Sequence, residues 1–576
     1  MRNTKRYIGR VTRQLGGDIH EYIPELANQL QKSLVDRREF LRTSALLGMS
    51  ATAAYSMAGV LTGKHFIPQA VAQGKPGGSL RVSMAVQEMT DPATFAWVQK
   101  SNVARFIVEH LALTGADNIT RPYLAERWEA SDDLKTWTFY LRKGITWSNG
   151  DDFGADDVVH TVNRWLDPAT GSSNLGLFDA MVEEVDTGKK DENGNPIKEK
   201  RGIAGAVEKV DDYTVRFHLK QPVLSMPESF YNYPTAITHR GFGKDYEADL
   251  SKNPIGTHAF ELAEFRIGEK AVLQKKRDWW NGNFYLDEIV YIDHGEDLNA
   301  AVGAIASNQV DMLYQIGTDQ LPILERLPNV DIHEAVTAQT DCMRMQITQK
   351  PFDNLKLREA ITACADRQKI LDVAYRGKGM IAEDHHVCQI HPEYFKLPQR
   401  SQDYDKAKKL LAEAGYADGI DLTIDVGDTN GPWETAACEA LKGQCAPAGI
   451  NININKMPAN QYWEVWDTTP FGLTAWTHRP LGTMVLALGY RSGVPWNETH
   501  FNSPEFDAAL TDAEGTLDVA ERTKKMEKVE RLLQDGAVMV QPYWRSIFKA
   551  ATKRVKGFKT HPTYYHQFET VWLEDA

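Results

Sequence analysis

The chain has 576 residues, 65 Lys and Arg against 78 Asp and Glu, and a formal net charge of −13. Such acidity argues against nucleic acid as a partner, and the length exceeds what one hydrophobic core organises, so two or three domains are expected. Aromatic residues make up 10% of the chain, with 14 Trp, whose flat rings with one polar handle suit pockets as well as cores.

Residues 36–42 read "DRREFLR" and stand directly before a mildly apolar run, 43–63. That run is long enough to span a bilayer, but Ala, Gly, Ser and Thr dominate it, so its transfer energy is weak for a permanent anchor. Arg37 and Arg38 lead the run, Phe40 and Leu41 follow, and Ala70 and Ala72 form the A-x-A pattern accepted by signal peptidase. This looks like a twin-arginine export signal over 1–72, read by the twin-arginine translocase and cut after Ala72. The remaining 504 residues carry 55 basic and 73 acidic groups, a net charge of −18. No cysteine follows the apolar run until Cys342, so no site for lipid attachment is expected, and the mature chain is expected soluble in the periplasm.

All five cysteines lie beyond position 72, an odd number for an oxidising compartment, so at least one cannot pair within a monomer. Cys438 and Cys445 share an expected helix whose rise holds their Cα atoms about 10 Å apart, beyond disulfide reach. Cys364 falls on the apolar stripe of another expected helix with Leu357 and Ile361. No nearby basic group is evident that would activate any of these thiols, and the pairing of Cys342 and Cys388 is open.

Leu80, Val82 and Met84 alternate as a strand that ends at Asp91 and Pro92. Residues 136–166 read as a hairpin turning at Asn149 and Gly150, followed by a helix with Asp156 and Asp157 at its positive end. A second hairpin turns at Asp211 and Asp212, and the charged stretch between them, 183–202, reads as a solvated surface excursion. Residues 253–280 return to β, and 298–316 read as a helix running into a strand. One long amphipathic helix is expected over 353–377, closed by Gly377, and a shorter one over 403–416 that ends at Gly415. Alternating runs at 421–427 and 451–457 flank the Cys438 helix as a βαβ unit, and Asp518 with Glu521 makes a capping-box pattern for a late helix. A mixed α/β chain follows, β-rich in its first half and βα-rich in its second.

No phosphate-binding loop, serine-hydrolase elbow, zinc-protease or C-x-x-C motif occurs beyond position 72. His385, His386, Cys388 and His391 are potential metal donors on one irregular stretch, although neighbours of this kind seldom converge without distant partners. "LTAWTHRPLG" places Trp476, His478 and Arg479 between the run 471–476 and a Pro turn, so that a flat ring and a fixed cation share one strand end. "LGYRSGVPWNET" repeats the idea with Tyr490, Arg491, Trp496 and Asn497. For each residue alone, a core or surface role is as good a reading as a pocket; two such loops in succession favour a pocket.

Four ordered stretches, 122–165, 253–280, 351–379 and 404–416, resemble the signatures of the extracellular solute-binding proteins of the dipeptide, oligopeptide and nickel group, the receptors of ABC importers. The resemblance implies a two-lobed periplasmic binding protein fold, type II, with lobe I built from 73–113, 241–335 and 541–576, a β-rich insert over 114–240, and lobe II over 336–540. It implies a monomeric receptor that is not an enzyme, needs no cofactor, works with a permease and its ATPase, and buries a solute between two closing lobes. Trp476, His478, Arg479, Tyr490, Arg491, Trp496 and Asn497, with Glu88 and Met89 after the first strand, are the expected ligand-binding set.

Peptide-binding members of the group commonly carry an aspartate shortly after the tryptophan of the loop corresponding to "AWTHRPLG". Here His478 and Arg479 occupy that place, which favours an anionic or hydroxyl-rich solute such as an opine-like or sugar–amino-acid conjugate over a free dipeptide. A metal or metal-chelate receptor using His385, His386 and His391 is the alternative, and a secreted hydrolase on the same scaffold a more distant one.

Overall fold

The segments around Ile289 and Met312 are short and mostly apolar, which suits strands buried on both faces, while the Leu80 segment alternates Leu80 and Val82 with Ser79, Arg81 and Ser83. In the computed structural model, which describes residues 20–49, 51–62, 74–190, 196–295 and 297–576, Ser79–Ser83 pairs in parallel with Glu288–Ile292 on one side and Met312–Ile316 on the other. Among the described residues, twelve strands, this trio included, form one sheet. Its main path runs Phe260–Arg266, Lys270–Lys275, Glu288–Ile292, Ser79–Ser83, Met312–Ile316, Tyr543–Thr552, Val330–Met345, Phe471–Trp476, Ile420–Val426 and Ile450–Lys456.

Two long strands carry the chain from one half of this sheet to the other. Val330–Met345 is antiparallel to Tyr543–Thr552 from Val330 opposite Thr552 to Thr340 opposite Trp544, and its far end pairs with Phe471–Trp476. The register between the two long strands slips between Ala335 and Gln339, and Val336 at the slip is 56% exposed, directly before the continuously buried run from Thr337 to Met345. A slip of this kind bends a strand and breaks the ladder locally. Apolar side chains gather into two large clusters, one including Leu80, Phe106 and Tyr291, the other Ile361, Ile424 and Leu441, and each draws residues from both halves of the sheet, as Trp476 in the first and Leu313 in the second.

A four-stranded antiparallel sheet, ordered Ala125–Ala130, Thr136–Leu141, Thr214–His218 and Val207–Asp211, stands apart from the main sheet. Its inward residues Trp128, Trp137, Phe139 and Phe217 pack with Phe230, and Phe139 and Phe230 meet edge to face at 5.1 Å. The helix Ala155–Trp165 follows with Asp156 and Asp157 in its first turn, and Asp157 Oδ2 accepts from Gly154 N and from the Trp147 indole. Gly150 has the expected positive φ of 93°, and its turn is closed by Trp147 N donating to Asp151 O and Phe153 N to Ile145 O around the Thr146–Asp152 bridge, while Thr136–Leu141 pairs instead with strands on both sides. The charged excursion is itself a hairpin, Val182–Lys190 against Pro196–Gly202, with solvated faces and pairs such as Glu184–Lys198 across the strands. Polarity alone hides such a ribbon, since no buried face imposes an alternating pattern.

The βαβ unit Ile420–Val426, Trp433–Cys445, Ile450–Lys456 forms as expected with parallel strands. The expected long helix over 353–377 is two, Leu355–Ala363 and Arg367–Tyr375. Asp366 accepts from Lys369 N and starts the second helix, an N-cap signal that the continuous apolar stripe concealed. Residues 20–62, expected to stand apart from the fold as an export signal, form the helices Ile23–Gln31, Arg37–Leu46 and Ala51–Thr62 and pack against the body. Among the described residues no helix is long and apolar enough to cross a membrane. The Arg37 guanidinium lies 6.0 Å from the Tyr55 ring, Arg38 donates to Asp117 O, and Ala70 and Ala72 fall outside the described residues.

Candidate functional site

Phe471–Trp476 is held on one edge by the long strand Val330–Met345 and ends beside the register slip, which delivers Trp476 to the junction between the two halves. Its indole Nε1 donates to Glu498 Oε1 at 2.7 Å, while Glu498 Oε2 receives Arg344 Nε at 2.9 Å and Thr474 Oγ1 at 2.6 Å. Burial pushes the Glu498 carboxyl up and the Arg344 guanidinium pulls it down, with burial the larger influence. Gly489 is required behind the ring, since a Cβ there would stand 2.7 Å from Trp476 Cη2. Trp496 meets Trp476 edge-on at 6.0 Å, and Tyr233 stacks on Trp496 at 5.8 Å.

Facing these rings across the junction are Tyr314, from Met312–Ile316, and Tyr564, 5.0 Å apart. Trp97, just before the helix Val98–Ala104, and Trp463, on the helix Ala459–Val465, close the front with ring centroids 4.2 Å apart. Together with Trp466, Asn430, Thr474 and Thr477 they enclose a chamber of about 50 Å³ whose described lining contains no Asp or Glu. In front of the Trp97–Trp463 pair lies a cleft of about 720 Å³, lined by 83–88 on one side and by 428–431 and Trp463 on the other. Its charged groups include Glu88, Lys100, Asp428 and Glu464.

The loop 428–431 is set by Glu434, whose buried carboxylate accepts from Thr429 N at 2.7 Å and Asn430 N at 2.9 Å. Burial, reinforced by Asp341, lifts its pKa to about 8. Gln315 Nε2 donates to Asn430 O, a direct bond from the first half of the sheet to this loop.

Arg479 is 3% exposed and overlies the Tyr233 ring at 5.1 Å, one layer behind the chamber wall. Its Nη1 donates to Thr477 Oγ1 and to His478 O, whereas Nε and Nη2 have no hydrogen-bond partner. Thr477 Oγ1 accepts from the guanidinium and so keeps its own proton to donate, with the Tyr233 hydroxyl within its reach at the chamber wall. Among the described residues, no carboxylate pairs with this cation.

Of the expected set, the structure brings Trp476 and Trp496 to the chamber and Glu88 to the outer cleft. Tyr490 stands behind Trp476 at 6.4 Å with its hydroxyl on His386 Nδ1. His478 is buried, with Nδ1 accepting from Ala338 N and Nε2 against Asn118 Oδ1, and burial holds its pKa well below the ordinary value. Arg491 is bound to Glu514 at 2.6 Å away from the chamber, Asn497 ties its own turn by donating to Phe501 O, and Met89 is fully buried in the core.

His385 faces Glu383, and His391 donates from Nε2 to Arg479 O while Nδ1 accepts from Cys388 N, so each has a protein partner. Among the described residues no three His, Cys, Asp or Glu are arranged to hold a metal ion, and all five cysteines are buried and free. The sequence reading missed Trp97, Tyr233, Tyr314, Trp463 and Tyr564, which converge from five separate segments. Only "YWEVW" hinted at it, placing Trp463 and Trp466 one helical turn apart.

The chain is 27% identical over 486 residues to heme-binding protein A of Haemophilus influenzae, covering 79% of this chain and 84% of that protein. It is 24% identical over 526 residues to the periplasmic oligopeptide-binding protein OppA of Salmonella typhimurium, covering 84% and 92%. The fold is similar to that of the binding protein AgaA of A. tumefaciens solved with agropinic acid, with a TM-score of 0.76 at 21% identity over 86% of this chain and 99% of that one. These likenesses establish a two-lobed periplasmic binding protein fold. The model of the bacterial extracellular solute-binding proteins, family 5, matches residues 120–495, and the chain belongs to that family.

Proposed function

We propose that this chain is the periplasmic receptor of an ABC importer, and that it captures a small solute with a flat or apolar body and an anionic or hydroxyl-rich head in the aromatic chamber, which, about 50 Å³ in this arrangement, widens around the solute by parting of the lobes. The lobes are those of the sequence reading, 73–113 with 241–335 and 541–576, an insert over 114–240, and 336–540, joined by the two long strands. Solute selects the closed state because only there do Trp476 and Trp496 from one lobe and Tyr314 and Tyr564 from the other touch it together. Export through the twin-arginine translocase, with Arg37 and Arg38 as its address, belongs to the same proposal. So does service to a permease and its ATPase without turnover of the solute.

The observation that carries the choice of solute is the make-up of the chamber wall. No described carboxylate lines it, so a buried α-ammonium finds no partner there, while Thr477, backed by the Arg479 guanidinium, offers a polarised donor to an acceptor. The relatives are named for binding peptides and heme, and one structural neighbour holds agropinic acid. A thermal-shift screen tests the proposal: opine-like and sugar-acid solutes raise the melting temperature and free dipeptides do not. Stabilisation by dipeptides alone would overturn it.

A further inference from the structure

We propose that residues 20–62, for as long as they remain attached, act as a strap that clamps the four-stranded insert to the helix Val519–Gly536 of the opposite lobe and holds the receptor closed. The helix Arg37–Leu46 supplies the centre of the clamp. Arg42 donates to Glu39 at 2.7 and 2.8 Å and to Glu228 of the insert at 3.3 Å, while Glu39 also receives Arg522 of the opposite lobe at 3.1 Å. The charges alternate along the path Glu228, Arg42, Glu39, Arg522, and none of the four residues is more than 7% exposed.

Further bonds anchor each side. On the insert, the Trp128 indole donates to Leu46 O at 2.9 Å, and Arg38 donates to Asp117 O at 3.1 Å. On the opposite lobe, Gln29 Nε2 donates to Asp518 Oδ2 at 2.5 Å, while Asp518 Oδ1 caps the same long helix. Leu26, Phe40 and Leu46 are fully buried beneath.

A segment bonded to both sides shifts the equilibrium toward the arrangement in which both contacts exist at once. Separating the sides would break the bond of Arg42 to Glu228 or that of Arg522 to Glu39, the two links through which the segment joins the insert to the opposite lobe. The lobes are in contact elsewhere in this arrangement, with Trp97 against Trp463 at 4.2 Å and Leu224 N of the insert donating to Glu514 O at 3.1 Å. The strap therefore adds a brake to a closure that the lobes themselves make.

The inference rests on the two-lobed receptor reading, but its readout needs no solute, so it can fail while that reading stands. Hydrogen exchange is followed in the full chain carrying Arg42→Gln, and separately Glu39→Gln, with Glu25→Gln on the exposed face of the first helix as control. The expected result is exchange at least tenfold faster at the Leu224 amide and a larger radius of gyration in both variants. Ile420–Val426 inside one lobe should stay unchanged, and the control should behave like the parent. Unchanged exchange at Leu224 in both variants would overturn the strap, and so would an equal rise in Ile420–Val426, which would signal general loosening rather than release of one lobe from the other.

Discussion

Replacing Arg479 by Met separates what this residue does for the fold from what it does for the solute. In the fold, the guanidinium is buried with no carboxylate among its described partners, two of its three nitrogens are unpartnered, and the acceptor His478 O keeps a second donor in Thr563 Oγ1 at 3.2 Å. Exchanging such a charge for an apolar side chain of similar length loses bonds worth about 1 kcal/mol each and relieves a desolvation cost of similar size, so stability should change by no more than about 1 kcal/mol in either direction. For the solute, Thr477 loses the cation that orients and polarises its hydroxyl. A hydrogen bond to a charged group contributes about 1.5–3 kcal/mol, so affinity for an anionic solute should fall by about 10- to 150-fold. Titration calorimetry with a solute from the screen above, alongside denaturant unfolding of the solute-free protein, reads both quantities. A loss of more than about 3 kcal/mol in stability with affinity unchanged would show Arg479 to be a structural cation and refute the reasoning.

Gly489→Ala should push the Trp476 ring out of place, costing about 1–3 kcal/mol of stability through overpacking and weakening solute binding by about tenfold or more, seen by thermal unfolding and calorimetry. His258, enclosed by Phe106, Phe260, Trp279 and Phe284, has its pKa lowered by burial from 6.5 to about 3. The folded state therefore keeps it neutral while the unfolded chain takes up the proton, and its stabilisation is lost as pH falls from 6.5 toward 3, by about 1.4 kcal/mol per pH unit. His258→Phe should flatten that limb of the stability profile measured by denaturant unfolding, and an unchanged acid limb would refute the assignment. Denaturing the purified protein with a thiol alkylating agent and no reductant should add five labels, one for each buried free cysteine, as counted by mass spectrometry.

The elements that were legible in the sequence are those with local punctuation. Asp403 and Gly415 bracket Tyr404–Glu413, Asp518 caps Val519–Gly536, and the alternation over 420–426 and 450–456 marks the paired strands of the βαβ unit. Where two local signals competed, the stronger periodicity masked the weaker cap, as at Asp366. The chamber was half legible for a related reason. Trp476 ends a strand just before a Pro turn and Trp496 sits in a loop, both with visible turn chemistry, but Tyr314 looks like any aromatic in a buried strand, and its role comes from the long-strand crossing that sets it opposite Trp476. The packing of 20–62 onto the body was not legible at all, since its key bonds join Arg42 to Glu228 and Glu39 to Arg522, partners 186 and 483 residues away.

Solute is expected to sit inside the aromatic chamber, shared between the lobes. A crystal structure of the full chain loaded with a solute that passes the thermal-shift screen tests it most directly. The expected density lies between Trp476 and Tyr314, with an oxygen of the solute within hydrogen-bond distance of Thr477 Oγ1. Density for a tightly held solute only in the outer cleft, touching one lobe and none of these rings, would contradict it.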